Sequence, residues 1–169
     1  MKIIAISGSA SEQSSNFFLL KAIEKAAGNQ YSFEIIDNLA QIPLFTPDRL
    51  KSGEPQQLKE IKEKIAEAKG LIISTPEYTH NIPAILKNFI EWCTHSGEFD
   101  NKAVLPITFT PHSPRGEHAM QSLLFSLQAM NARIIASLPL YKTDVLIKDE
   151  KIELPEDIQS VIQEALLLF

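Results

Sequence analysis

Short apolar runs rich in β-branched residues alternate along the chain with stretches whose apolar positions recur every three to four residues. The runs read as buried strands and the stretches as amphipathic helices, because side chains repeat every two residues in a strand and about every 3.6 in a helix. Strands are expected at Lys2–Ser7, Tyr31–Asp37, Leu71–Ile73, Ala103–Phe109 and Ala132–Leu138. Phe17, Leu20, Ile23, Ala26 and Ala27 form a first inward helical stripe ending near Gly28-Asn29, and Leu58, Ile61, Ile65 and Ala68 form a second. Ile82, Ile85, Leu86, Phe89, Ile90 and Cys93 form a third, entered through Pro83, whose missing N–H has no partner to lose in a first helical turn. Ala119, Leu123, Leu127 and Met130 make a fourth, and Ile158, Val161, Ile162, Ala165, Leu166 and Phe169 a last one. Strand and helix alternate five times, which predicts an α/β fold with a parallel sheet wrapped on both faces. The connection Asn38–Pro55 carries three prolines and is long enough to suggest a functional or interface role.

In such a sheet the loops at the carboxyl ends of the strands are where ligands sit. The first, after Ser7, places five serines between Ser7 and Ser15 directly before a helix. Free N–H groups at a helix start and nearby hydroxyls suit a phosphate; the plainer reading is a serine-rich turn with Ser14 or Ser15 as N-cap. The loop lacks the glycine pattern of dinucleotide sites and the lysine of a P-loop. The second loop, Thr75–Asn81, is stiffened by Pro76 and carries Tyr78; it offers a backbone edge and an aromatic wall to a flat heterocycle. Its plainer reading has Tyr78 packing on a neighbouring subunit and Glu77 capping the following helix. In the third, Thr110–Gly116, the residues His112 and Arg115, with His118 beyond, suit a nicotinamide phosphate or an anionic substrate, and equally a solvated loop.

Composition narrows the classes. At 169 residues and 44% hydrophobic content, one domain spanning 1–169 with a full core is expected. A net charge of −5 argues against nucleic-acid backbones and anionic membrane surfaces, and no apolar run approaches a membrane span. The amino terminus runs straight into a strand pattern with no leader-type cleavage site, which suggests a cytoplasmic protein. One cysteine, Cys93, permits no internal disulfide and falls on an apolar helix face as a buried thiol. Four scattered histidines supply no metal site.

The segment Thr75–Trp92, TPEYTHNIPAILKNFIEW, resembles the TPEYN…P..LKNAIDW segment of the NADPH-dependent FMN reductase family, with Pro76, Glu77, Tyr78, Pro83, Leu86, Lys87, Asn88 and Trp92 in register. Gly8, Ser9, Ser14 and Asn16 likewise match the family's GS.R..S.N pattern, with Ser11 at the arginine position. Thr79 stands where the family usually has Asn, only Gly116 remains of a glycine pair, and Leu124 replaces an arginine.

The resemblance implies a flavodoxin-like three-layer sandwich with five parallel strands in the order 2-1-3-4-5. It implies bound FMN, with Ser9, Ser11, Ser14, Ser15 and Asn16 at the phosphate and Pro76, Glu77, Tyr78 and Thr79 along the ring; Thr110 and His112 complete the third side. NADPH or NADH would donate hydride and a small electron acceptor such as a flavin or quinone would receive it. No dedicated catalytic side chain is then needed. Relatives are homodimers or homotetramers, and the helix carrying Trp92 is the expected subunit contact. A flavin-holding electron carrier and an interaction domain without flavin are the alternatives.

Overall fold

The computed structural model, which describes residues 1–169, pairs β1 (Lys2–Ser7), β2 (Ser32–Ile36), β3 (Gly70–Thr75), β4 (Ala103–Thr110), β5 (Arg133–Ile134) and β6 (Leu138–Tyr141) in one parallel sheet. The order is β2-β1-β3-β4-β5, with β6 continuing along β4. This is the order the resemblance implied. Around the sheet lie α1 (Ser15–Ala27), α2 (Pro47–Ser52), α3 (Gln56–Glu67), α4 (Ala84–Trp92), α5 (Glu117–Ala129) and α6 (Glu156–Leu166). Alternate strand residues face opposite ways and fill two cores. Ile4, Ile6, Leu71 and Ile73 meet α3, α4 and α5 through Leu58, Leu86, Phe89 and Leu123. Ile3, Ala5, Ile72 and Leu105 meet α1 and α6 through Leu20, Ile23, Ile162 and Leu166. The three central strands read as unbroken apolar runs because helices cover both their faces.

Four expectations change. The strand expected at Ala132–Leu138 is split: β4 pairs Val104 with Ile134 but Ile107 with Leu138, so the edge strand carries one extra residue. That is a bulge. Val104 O accepts from Ile135 N, so the backbone of Pro106, two residues on, also faces this edge, where it has no N–H to give. The first helix buries Asn16, Leu19, Leu20, Ile23 and Ala27, while Phe17 packs edge-to-face on Phe18 at its margin. The connection Asn38–Pro55 contains α2, capped by the Thr46 hydroxyl with Pro47 in the first turn. Beyond β6 a hairpin of β7 (Leu146–Lys148) and β8 (Lys151–Glu153) packs against α1.

The Trp92 side chain is fully buried within its own chain. Its Nε1 donates to Pro43 O at 2.8 Å and its ring meets Phe45 edge-on. Asn88 accepts from Phe45 N at 2.7 Å and donates to Ile42 O and Pro43 O. These two residues of α4 therefore strap the segment Ile42–Phe45 across the helix. Nearby, the buried Lys62 ammonium donates to Trp92 O at 2.8 Å and to Ser96 Oγ at 2.5 Å and pairs with Glu54. The paired charge and satisfied donors let a lysine sit in the interior. Cys93 is buried beside it, and desolvation pushes its thiol far above the ordinary range. It is an inert packing residue.

Candidate functional site

Three loops meet at the carboxyl edge of the sheet, because Ser7 lies in register with Ser74, and Thr75 with Thr108. The first leaves β1 through Gly8, whose N–H donates to Ser74 O at 2.7 Å. A Cβ on Gly8 would stand 2.7 Å from Leu86 Cδ2 and 3.2 Å from Ser74 O, so a larger residue here would have to displace the Leu86 side chain. Ser9 is buried and its hydroxyl accepts from Ser11 N at 3.3 Å. Ser14 caps α1, accepting from Phe17 N at 3.3 Å, and its hydroxyl lies 3.4 Å from that of Ser7. Asn16 is buried and accepts from Ser74 Oγ at 2.8 Å, which leaves its amide nitrogen as a donor. Ser15 opens the helix, and no acidic residue occupies the first turn.

This loop is a preformed shell of hydroxyls and N–H groups around a helix start. Helix termini leave about four N–H groups without intrahelical partners and carry partial positive charge. Ser14 uses one of those N–H groups. The remainder fits a phosphate, which the N-cap role does not exclude. One carboxylate lies on the loop, Glu12, which accepts from Gln41 Nε2 at 3.3 Å; Asp37 accepts from Gln13 N at 3.4 Å. These bonds join the phosphate-type loop to the segment after β2.

The second loop is a two-residue turn. Tyr78 and Asn81 exchange both backbone hydrogen bonds, at 2.9 and 3.0 Å, while Thr79 and His80 adopt φ of +50° and +56°. Asparagine tolerates this left-handed region and a β-branched residue does not, which explains why Asn is usual at the position of Thr79. Asn81 Oδ1 accepts from Ile82 N and from Ser122 Oγ of α5, fixing the turn to that helix. Tyr78 is 49% exposed and free to face a ligand. Thr75 donates to Pro76 O at 3.0 Å and stiffens the entrance.

Glu77 does cap a helix, and it is α5. Its carboxylate accepts from Ala119 N at 3.0 Å. Burial alone would raise its carboxyl; the backbone N–H groups at the start of α5, with His80 and His118 nearby, outweigh that and hold it below the ordinary carboxylate range. His80 Nδ1 lies 3.6 Å from Glu77 Oε1, and the His80 and His118 rings meet edge-to-face with centroids 4.6 Å apart.

The third loop closes on itself. Thr110 is buried and its hydroxyl donates to Arg115 O at 2.7 Å, while His112 is exposed with a ring nitrogen 2.9 Å from Ser113 O. Gly116 turns into α5 with φ of +102°; a Cβ there would press on Thr108 and Thr110. Thr110 thus shapes the loop, and His112 stands at its rim. The sequence-expected residues of the first two loops come together at one edge. Ser74 was not singled out, although a polar residue ending an apolar central strand marks it; nor was His80.

The profile of the family described as NADPH-dependent FMN reductase matches residues 1–142. A curated relative from Vibrio ruber, NADH:(hydroxy)cinnamate reductase subunit CrdA, is 34% identical over 73% of this chain and 60% of its own length. The 2-hydroxy-1,4-benzoquinone reductase of a Burkholderia species is 35% identical over 56% of this chain and 50% of its own. The NADH-dependent flavin reductase subunit 2 of Lactobacillus johnsonii is 39% identical over 54% and 48%. The chain therefore spans about half to three fifths of the length of these relatives. Among solved structures, the flavoenzyme NAD(P)H:(acceptor) oxidoreductase FerB of Paracoccus denitrificans superposes with a TM-score of 0.78 at 20% identity, covering 99% of this chain and 94% of that one. An NADH:FMN oxidoreductase, EMOB, gives 0.73 at 24% identity, covering 98% and 86%. Both carry the same fold. The family match over residues 1–142, on this fold and these loops, settles membership: the chain belongs to the NADPH-dependent FMN reductase family.

Proposed function

We propose that this chain, acting as one domain over residues 1–169, is an FMN-dependent NAD(P)H oxidoreductase that reduces quinones, flavins or similar small acceptors. The observation that carries this reading is the α1 entrance, where buried Ser9 and Asn16 and the capping Ser14 surround a helix start free of acidic residues. Ser9, Ser11, Ser14, Ser15 and Asn16 hold the phosphate through hydroxyls and N–H groups. The stiff turn at Pro76, Glu77, Tyr78 and Thr79 sets the ring plane, with Tyr78 as its aromatic wall, and Thr110 and His112 border the far side. Bound FMN supplies the ring that takes hydride from NAD(P)H and passes electrons on. The chain's share is to bind, orient and tune that ring, so no nucleophile or metal is required.

The acceptor class follows the relatives, which are named as benzoquinone and flavin reductases. A cytoplasmic location, where NAD(P)H is at hand, is part of this proposal; no helix is long and apolar enough to cross a membrane. A homodimer or homotetramer is the proposed assembly; Phe125 on α5, 61% exposed, gives an apolar side chain to such a contact.

The test is a visible spectrum of purified protein after FMN addition and desalting, followed by anaerobic NADPH. Retained flavin that bleaches with NADPH is expected. A protein that stays colourless contradicts the reading, and retained flavin that NADPH cannot bleach would point to an electron carrier instead.

A further inference from the structure

Two imidazoles stand at the rim of the second and third loops, outside the residues assigned to the cofactor. His80 occupies the left-handed position of the Tyr78–Asn81 turn, and His118 lies in the first turn of α5. Different loops bring them together with ring centroids 4.6 Å apart. Beneath them sits a carboxylate that is only 10% exposed, while the His80 side chain is 78% exposed. Glu77 approaches the Nδ1 side of His80, at 3.6 Å. The opposite ring nitrogen, Nε2, therefore points away from the carboxylate. In sequence, the charged residues beside His118 are Arg115, in the loop before Gly116, and Glu117, which opens α5.

An acceptor reaching this edge meets the pair beside the exposed ring of Tyr78. A quinone that gains a hydride becomes a hydroquinone monoanion and needs one proton to be released as the neutral hydroquinone. Hydride comes from NAD(P)H, leaving NAD(P)+, so the overall reaction consumes one proton. A proton donor at the acceptor's oxygen must be open to the acceptor and must recover its own proton from water. An exposed imidazole meets both needs, since its ring nitrogen can carry a proton to the acceptor and stays in contact with water.

Resting on the reductase reading, we propose that His80 is the acid that protonates the reduced acceptor, with His118 and Glu77 as positioning residues that fix its ring. His80 Nε2 gives its proton to the oxyanion of the monoanion, and solvent restores it. The turn ties this role to structure: Asn81, which closes it, is held by Ser122 of α5, so both imidazoles ride on one rigid unit.

The experiment compares two acceptors in the FMN-loaded protein. Quinone reduction needs the proton, whereas ferricyanide takes single electrons and needs none. His80→Asn is the first variant, because asparagine accepts the left-handed backbone; His118→Gln is the second. General acids contribute typically 10²–10⁴-fold, and water replaces part of that at an open rim, so His80→Asn should lower kcat/KM for 1,4-benzoquinone by about 10- to 100-fold. The ferricyanide rate should hold, and added imidazole should restore quinone turnover. His118→Gln should give a smaller loss with the same split. An unchanged quinone rate in His80→Asn overturns the proposal, and so does a parallel loss for both acceptors. Parent protein that binds FMN but reduces neither acceptor with NADPH would sink the reductase reading itself, and the proposal with it.

Discussion

Two helices start at the same edge of the sheet, and the chain treats them oppositely. The entrance of α1 is lined with hydroxyls and has no acid in its first turn. At α5 the Glu77 carboxylate accepts from Ala119 N, and Glu117 adds a second acid. Both starts carry the same partial positive charge. One start is met by a carboxylate of the protein itself and the other by the neutral hydroxyl of Ser14. In the proposed reading, the start without a carboxylate is the one that takes an outside anion.

The contrast breaks most sharply if a carboxylate is built into α1. Aspartate caps a helix as well as serine does, so Ser14→Asp should leave the urea midpoint in place or raise it slightly. A charge about 4 Å from a phosphate costs about 4 kcal/mol at an effective dielectric of 20, so FMN affinity should fall by a factor on the order of 1,000. Flavin fluorescence titration reads this directly.

Emptying α5 is the converse. Glu77→Ala leaves buried N–H groups without acceptors and should cost about 2 kcal/mol in urea unfolding at pH 7. The carboxyl of Glu77 lies below its ordinary value of 4.5, so its contribution is fully present above that pH. It is lost as pH falls through the lowered value, because the unfolded chain takes up the proton first. The gap between parent and Glu77→Ala should accordingly close in acid. A gap that is constant with pH would remove the charge from the explanation.

Charge at the open start can also be improved. Ser11→Arg together with Glu12→Gln restores the cation of the family pattern and removes the one carboxylate on the loop. Charge-assisted hydrogen bonds are roughly twice as strong as neutral ones, so FMN should bind about tenfold tighter. The smallest effect is at the turn between the two helices. Thr79→Asn relieves a β-branched residue at φ +50°, and should raise stability by about 1 kcal/mol in thermal or urea unfolding.

A parallel sheet with helices on both faces was legible because the central strands are unbroken apolar runs alternating with helical stripes; the strand order came only from the family resemblance. The split of the last strand was not: Ile134 and Ile135 look continuous, and the break is set by Pro106 on the neighbouring strand. The helix at Pro47–Ser52 was marked by Thr46-Pro47-Asp48, a cap signal hidden inside a connection read as irregular. The hairpin at Leu146–Glu153 turns through Asp149 and Glu150, both at positive φ, without the glycine that usually announces such a turn. Among site residues, the serines and the Pro-Glu-Tyr turn stood out by motif and position. The pairing of Ser74 with Asn16, of Glu77 with α5, and of His80 with His118 joins residues far apart in sequence, so only the packed structure reveals it.

The central claim is that the open start of α1 holds a phosphate. Titrating the protein with FMN and with riboflavin, which has the same ring and lacks the phosphate, tests it most directly. FMN should bind tighter than riboflavin by a factor on the order of 100, a preference that shrinks with rising salt and disappears in Ser14→Asp. Equal affinity for the two flavins, in parent and variant alike, would contradict the claim and leave the serine loop as a helix cap alone.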